Sequence, residues 1–537
     1  MASHDKNLED TPICHKSNPP AKTMYAFRLA DLESHPWETQ LMLTCLQGLV
    51  NRDKPCLFLV QDKYDDLWLE WLQERGDVEH IYWLSVNEIL ERFLTRAEGI
   101  VIIDHSLPAT FNVATMLAGV RNLLVVSPSL IRKYELRSVF GEKIIDLKSF
   151  RWKRDADAYR WFYREYWNML SHRMLAWLDP YDIPLRDYIA EFKIPLLWVS
   201  SRCEDDELAL AEEILMKLPP NIPCLGWPQA DCSPDSGLGE HRGVTLVNEY
   251  AKFQVCSGFE RYSRAVSNLS VHSGTTAEFH NKSLPIPPLE KKVYMSFIRT
   301  DGDGANFYRE CYRNLWDDPQ HGRFPMGWQL GPTMYDLMPD ILDYYYKHST
   351  ANDFFVNALT GIGYIHEENY AYMYPPEQRK QIWQEYLRLS QKYREKMKLS
   401  ILTTYHEMSR DKMEDLIKIG FEGVFANYHR SFITSLHNQI EEINGVPIFR
   451  ACNMGDSVHS LVNEIRTWTP KTRPAFIYVS LTNWVTRMEY VESVIKLLGP
   501  EYVAVTPEQL VKLYKKYRAE KMSLKNDRAL DKAWSEK

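Results

Sequence analysis

Apolar runs and polar-faced segments alternate along most of this chain, and the alternation predicts its architecture. Residues 24–29 (Met-Tyr-Ala-Phe-Arg-Leu) have the pattern of a short strand. Residues 39–50 carry Leu41, Leu43, Leu46 and Val50 at helical spacing, with a stop near Asn51-Arg52-Asp53. The exchange repeats, with strands at 56–60, 80–84, 100–104 and 123–126 and helices at 64–75, 87–95 and 111–121. Strands separated by single helices at short spacing form βαβ units on a parallel sheet. A Rossmann-like α/β domain is therefore expected over residues 23–135. No GxGxxG or Walker A sequence follows its strands, so no nucleotide is expected there. Residues 1–22 are polar, contain Pro19-Pro20 and lack periodicity, as a disordered tail does.

Residues 136–285 read as a second α/β region ending in a linker. The segment 155–173 is a helix dense in aromatics, 196–200 a strand and 205–218 an amphipathic helix. Residues 229–243 are rich in Pro, Gly, Asp and Ser and predict a loop. Residues 244–247 (Val-Thr-Leu-Val) and 268–271 are strand candidates, and three prolines within 283–288 mark the linker. From 291 onward the alternation resumes. Strands are expected at 293–299, 326–330, 354–357, 399–404, 423–426, 447–449, 474–479 and 502–505, with helices between most of them. That rhythm predicts a (β/α)7–8 barrel-like domain over residues 290–518, with an open doubly wound sheet as the alternative. Residues 519–537 form a charged tail.

The barrel reading gives particular residues a meaning. The run Val293-Tyr294-Met295-Ser296-Phe297-Ile298-Arg299 is apolar on both faces, then breaks into Thr300-Asp301-Gly302-Asp303-Gly304. Gly and Asp end a strand and open a turn. Two carboxylates are thus expected at the carboxyl edge of a buried parallel strand, where barrels build their sites. Reading that edge strand by strand collects Asp301 and Asp303, then Trp328, then Tyr364, His366 and Glu367, then His406 and Glu407, then Tyr428 and His429, then Arg450, and last Trp484. Each residue alone has a plain account as core, cap or loop. The argument is the convergence of acids, histidines and aromatics on one edge.

Composition narrows the chemistry. The aromatic share of 13% suits a carbohydrate-handling protein, because sugar faces stack on rings, although large cores show it too. The net charge of -8 with no basic cluster argues against nucleic-acid partners. No apolar run is long enough to span a bilayer, and the polar amino-terminal segment lacks the pattern of a secretory signal. Nine scattered cysteines without CxxC pairs suit a reducing compartment, so a cytoplasmic location is expected. Asn268 and Asn281 match the short glycosylation sequon.

Two mechanisms fit the collected residues. Glycoside cleavage needs one protonated and one ionised carboxyl group; Asp303 and Glu407 are the expected pair, with Asp301 or Glu367 as substitutes. Trp328, Tyr364, His366, His406, Tyr428, His429, Arg450 and Trp484 would contact substrate. Metal-assisted deacylation is the alternative, with a divalent ion on Asp303, His406 and His429 and Asp301 as base. No HxxxH or HExxH spacing supports it, so no cofactor is expected in the first reading. A non-catalytic glycan-binding protein is the third possibility.

Several of these stretches carry a resemblance. Residues 296–306, 327–332, 339–345, 353–364 and 498–510 are similar to the carboxy-terminal domain of the GxGYxYP family. Leu46-Gln47-Gly48-Leu49-Val50-Asn51-Arg52 resembles a motif of the family's amino-terminal domain. The resemblance implies a glycoside hydrolase acting on a carbohydrate; tailoring of a glycosylated small molecule, which a cytoplasmic location would suit, is a further alternative. Gly361-Ile362-Gly363-Tyr364-Ile365 keeps the first half of the family signature, while His366-Glu367 replaces its Tyr-Pro.

Overall fold

The computed structural model describes residues 11–32, 36–230, 233–258, 265–405, 408–426, 439–452, 457–482 and 487–535. The apolar run becomes strand β1 (Val293–Arg299), buried at every position, as a parallel strand covered on both faces requires. Then follow β2 (Met326–Leu330), β3 (Asp353–Asn357), β4 (Ile401–Thr404), β5 (Gly423–Ala426), β6 (Val446–Cys452), β7 (Ala475–Leu481) and β8 (Tyr502–Ala504). β1 pairs in parallel with β7 along its length and with β2 at Ile298 and Arg299. Those two pairings close seven strands into a parallel barrel, and the open sheet is excluded. β8 pairs with β1 at residues 293–295, so it patches the amino-terminal end and leaves the carboxyl end to β2.

Tyr294, Ile298, Phe354, Val356, Ile401, Phe425, Phe449, Phe476 and Tyr478 form one buried cluster. They are alternate residues of successive strands, the interior set of a barrel. Leu510, Val511 and Tyr514 of the last helix, Pro507–Ser535, join them. Tyr514 lies edge-on to Phe449 and Phe476, and Val511 faces Gly423, the first residue of β5. The last helix thus plugs the amino-terminal end, and chemistry is left to the other end. That helix also runs through the segment expected as a charged tail.

Ahead of the barrel lie three small sheets, all parallel. The first orders Leu57–Val60, Thr23–Arg28 and His80–Trp83; the second, Leu123–Val126, Gly99–Ile102 and Ile144–Asp146. The third orders Lys252–Gln254, Ile222–Gly226, Leu175–Trp177 and Leu196–Leu197. The Leu46–Arg52 motif has a packing role. A Cβ on Gly48 would stand 2.2 Å from the Asp187 carbonyl, so glycine lets the helix Pro36–Asn51 cross the helix Arg186–Phe192 backbone to backbone. Arg52 then donates to the carbonyls of Ala190 and Gly119 at 2.9 and 3.0 Å. Buried carbonyls at such a crossing need donors.

Three sequence expectations change. Residues 11–20 are a strap rather than a loose tail. Ile13 N donates to Asp336 Oδ2 (2.9 Å) in the barrel domain, Ser17 Oγ to Glu191 (2.9 Å), and Asn18 Nδ2 to the Asp53 carbonyl (2.8 Å). Partners from distant parts of the chain supply the order that local pattern lacks. Residues 244–247 lie in the helix Glu240–Glu249, and 268–271 open onto the short helix Leu269–His272. In the first, tertiary packing overrides the β-branched composition. The two sequon asparagines are structural: Asn268 is buried and donates to the Leu59 carbonyl (3.0 Å), and Asn281 exchanges both hydrogen bonds with Phe355.

Candidate active site

The turn after β1 is made by backbone fit. Asp301 takes a left-handed conformation at φ 64°, which Asp tolerates better than most residues. A Cβ on Gly302 would lie 1.7 Å from the Gln329 carbonyl at the end of β2, so only glycine fits there. Gly331 N closes the contact by donating to the Gly302 carbonyl at 2.7 Å. Asp303, 8% exposed, is carried past that contact at the carboxyl end of the barrel. Burial, then the neighbouring charge of Asp301 and that of Glu240, push its carboxyl up to about 8. Both causes disfavour the charged form.

The roof over this turn comes from the third sheet's unit. The Cys256 carbonyl accepts from Ala305 N at 2.8 Å, and Cys256 Sγ lies 3.6 Å from Asn306 Oδ1. Gln254 and Tyr364 exchange backbone hydrogen bonds of 3.0 Å each, joining that unit to the loop after β3. Tyr386 OH holds the loop from below, donating to the Thr360 (2.7 Å) and Gly363 (2.9 Å) carbonyls. His366 N donates to Asn248 Oδ1 at 2.7 Å. The glycine signature therefore shapes a loop clamped between two units.

Side chains on this clamp form a chain of hydrogen bonds. Tyr364 OH donates to Glu240 Oε1 at 3.2 Å, and His366 Nε2 lies 3.1 Å from the same phenol. Because the phenol's proton goes to the carboxylate, we assign the donor to Nε2 of His366. Thr245 Oγ1 lies 2.9 Å from His366 Nδ1 and completes the chain. Tyr405, following β4, packs on Tyr364 with ring centres 5.2 Å apart, and Trp227 stacks at 6.3 Å. Burial raises the Glu240 carboxyl, and the Tyr364 hydrogen bond partly offsets it. Asp303 and Glu240 both act on Tyr405, Tyr364 and Cys256, whose ionisation burial already pushes up. Beside Glu240 opens a cleft of about 840 Å³, lined in part by Glu212, His241, Arg242, Glu249 and Asn369.

The expected site residues divide. Asp301, Asp303, Tyr364 and His366 come together in this mouth. Trp328 does not face it: the ring is fully buried against Trp316 and donates to Asp353 Oδ1 at 2.9 Å, leaving no face for a sugar. Arg450 pairs with Glu441 at 3.0 Å beside a small cavity of about 150 Å³ shared with Met413. Glu367 is buried and acts on Lys412 and Tyr386. His406, Glu407, Tyr428, His429 and Trp484 lie outside the described residues. Two of the three expected metal ligands are among them; no group of three or more His, Cys, Asp and Glu suited to a metal occurs among the described residues.

Glu240, Trp227 and Cys256 were missed. Glu240 sits where a loop was read, just past Gly239 at φ 78°. Its one sequence signal is the spacing Glu240, Val244, Val247, Asn248, a helical period masked by Val-Thr-Leu-Val.

Comparison with known proteins gives a consistent result. The description "GxGYxYP putative glycoside hydrolase C-terminal domain" matches residues 291–515. The third, second and first domains of the same group match 172–274, 97–170 and 23–94. The fold is similar to the crystal structure of "a putative hydrolase from Bacteroides thetaiotaomicron VPI-5482", with a TM-score of 0.78 at 19% identity. The match covers 95% of this chain and 98% of that one. Likeness at that identity speaks to the fold alone. No curated protein matches the chain.

Proposed function

The chain belongs to the GxGYxYP family, and from that premise we propose that it hydrolyses a glycosidic bond with Asp303 as general acid. The observation that carries the reading is a buried carboxyl, raised to about 8, at the carboxyl end of a closed barrel among further acids and aromatic rings. A general acid must hold its proton at working pH, and burial beside like charge is how enzymes achieve that. Asp303 gives its proton to the leaving-group oxygen as the glycosidic bond breaks. An ionised carboxylate across the mouth serves water or the anomeric carbon. Tyr405, half-buried after β4 and backed by the buried rings of Tyr364 and Trp227, offers ring surface suited to a sugar face.

The substrate is a carbohydrate or a glycosylated small molecule. The described cysteines are all free, which supports a reducing, cytoplasmic setting; no described helix is long and apolar enough to cross a membrane. We read the amino-terminal sheets as Rossmann-like scaffolding around the mouth. The test is turnover of a panel of 4-nitrophenyl glycosides and acetylated sugars, with and without chelator, by wild type and Asp303→Asn. Chelator-insensitive glycoside release that Asp303→Asn abolishes supports the reading. Chelator-sensitive deacetylation would favour a metal on Asp303, His406 and His429, and binding without turnover would favour a glycan-binding role.

A further inference from the structure

We propose that Glu240, carried by the third unit, is the second carboxylate of the site, and that the cleft beside it receives substrate beyond the scissile bond. The proposal rests on the hydrolase reading above and names the partner that reading needs.

The geometry comes first. Paired carboxylates must flank the scissile bond from two sides. Asp301 and Asp303 leave one three-residue turn, so both are supplied by the same edge of the barrel. Glu240 belongs to a different unit, brought over that turn by the Cys256–Ala305 and Gln254–Tyr364 backbone bonds. Its carboxylate is oriented by Tyr364, which His366 and Thr245 orient in turn. The phenol donor favours the ionised form of that carboxylate, against the burial that raises it. Glu240 therefore borders the open space of the cleft while its charge acts on the buried acid, Asp303.

The chemistry balances. The Asp303 proton passes to the leaving oxygen as the carbon–oxygen bond breaks, and the oxygen of a water bonds to the anomeric carbon. Glu240 accepts that water's proton. Solvent then reprotonates Asp303 and deprotonates Glu240. His366 is a positioning residue: it fixes the phenol so that its hydrogen points at Glu240. The His366-Glu367 departure from the family signature thus falls on the group that aims the second carboxylate.

The experiment compares wild type, Glu240→Gln, Asp303→Asn and His366→Gln on 4-nitrophenyl glycosides across pH, with melting curves to confirm folding. Glu240→Gln is expected to lower kcat at least 100-fold and remove the acidic limb of the pH profile, while Asp303→Asn removes the alkaline limb. His366→Gln is expected to lower kcat with little change in KM and to move the acidic limb upward, since Glu240 loses its oriented donor. Glu240→Gln within threefold of wild type, with Asp303→Asn inactive, overturns the proposal, returns the role to Glu407 and leaves the hydrolase reading standing. Full turnover by Asp303→Asn overturns the hydrolase reading instead. A second measurement needs no substrate: the carboxyl titration of ¹³C-labelled Asp303 in folded wild type and Glu240→Gln. A lower midpoint in Glu240→Gln supports the pair, and an unchanged midpoint overturns it.

Discussion

Two seams join the amino-terminal units to the barrel, and they treat buried acids in opposite ways. Where the first unit meets the barrel, Arg309, 1% exposed, contacts Asp62 at 2.8 Å, Asp65 at 3.0 Å and Glu310 at 2.6 Å. Trp68 Nε1 donates to the Arg309 carbonyl (2.9 Å), and Ser267 Oγ to Asp65 (2.7 Å). Where the third unit meets the barrel, acids gather with acids: Asp301, Asp303 and Glu240 each act on shared neighbours, and Glu240 accepts from the Tyr364 phenol, against which His366 Nε2 lies. A neutralised acid holds a structure together. An acid kept beside like charge is expensive, and such expense marks a working site.

The comparison predicts different failures at the two seams. The largest effect is expected at the first. Arg309→Met leaves Asp65 buried without its guanidinium and should cost ~3–5 kcal/mol, read from the denaturant midpoint. A loss near zero would mean that the seam does not depend on that pairing. At the second seam Asp303→Asn should lower glycoside turnover by roughly 10²–10⁴ while the protein stays folded.

The pH dependence sharpens the contrast. Asp303 ionises near its ordinary 3.8 in the unfolded chain and at about 8 in the folded one. Between those values the folded chain holds the extra proton, so this group's contribution to stability falls as pH rises from about 4 to about 8. Asp303→Asn should therefore match wild type near pH 4 and be the more stable protein above pH 8, by on the order of a few kcal/mol. Equal melting temperatures at pH 9 would contradict the buried-acid account. The smallest effect is expected at Trp328. Trp328→Phe loses one buried hydrogen bond and some volume, about 1–3 kcal/mol of stability, with KM unchanged; a raised KM would return that ring to the substrate.

Much of the architecture was legible because parallel strands buried on both faces are written as unbroken apolar runs. The seven barrel strands and β8 stand where strands were expected, and Asp301 and Asp303 follow from the glycine-broken end of the first. What was not legible depends on contacts between distant segments. The strap at 11–20 has no pattern of its own; Asp336 and Glu191 order it. Glu240 reaches the mouth only because another unit is folded over the barrel, and no local spacing encodes that approach. Trp328 misled for the converse reason. A tryptophan within a barrel strand has the same letter whether it faces the mouth or the helices, and here the Trp316 side won.

The central claim is that the third unit and the barrel hold Asp303 protonated among other acids at neutral pH. The most direct measurement is the carboxyl titration of Asp303 in the folded wild-type protein, followed by its ¹³C resonance. The account predicts a midpoint near 8. A midpoint near 4, the value of an ordinary exposed aspartate, would contradict it.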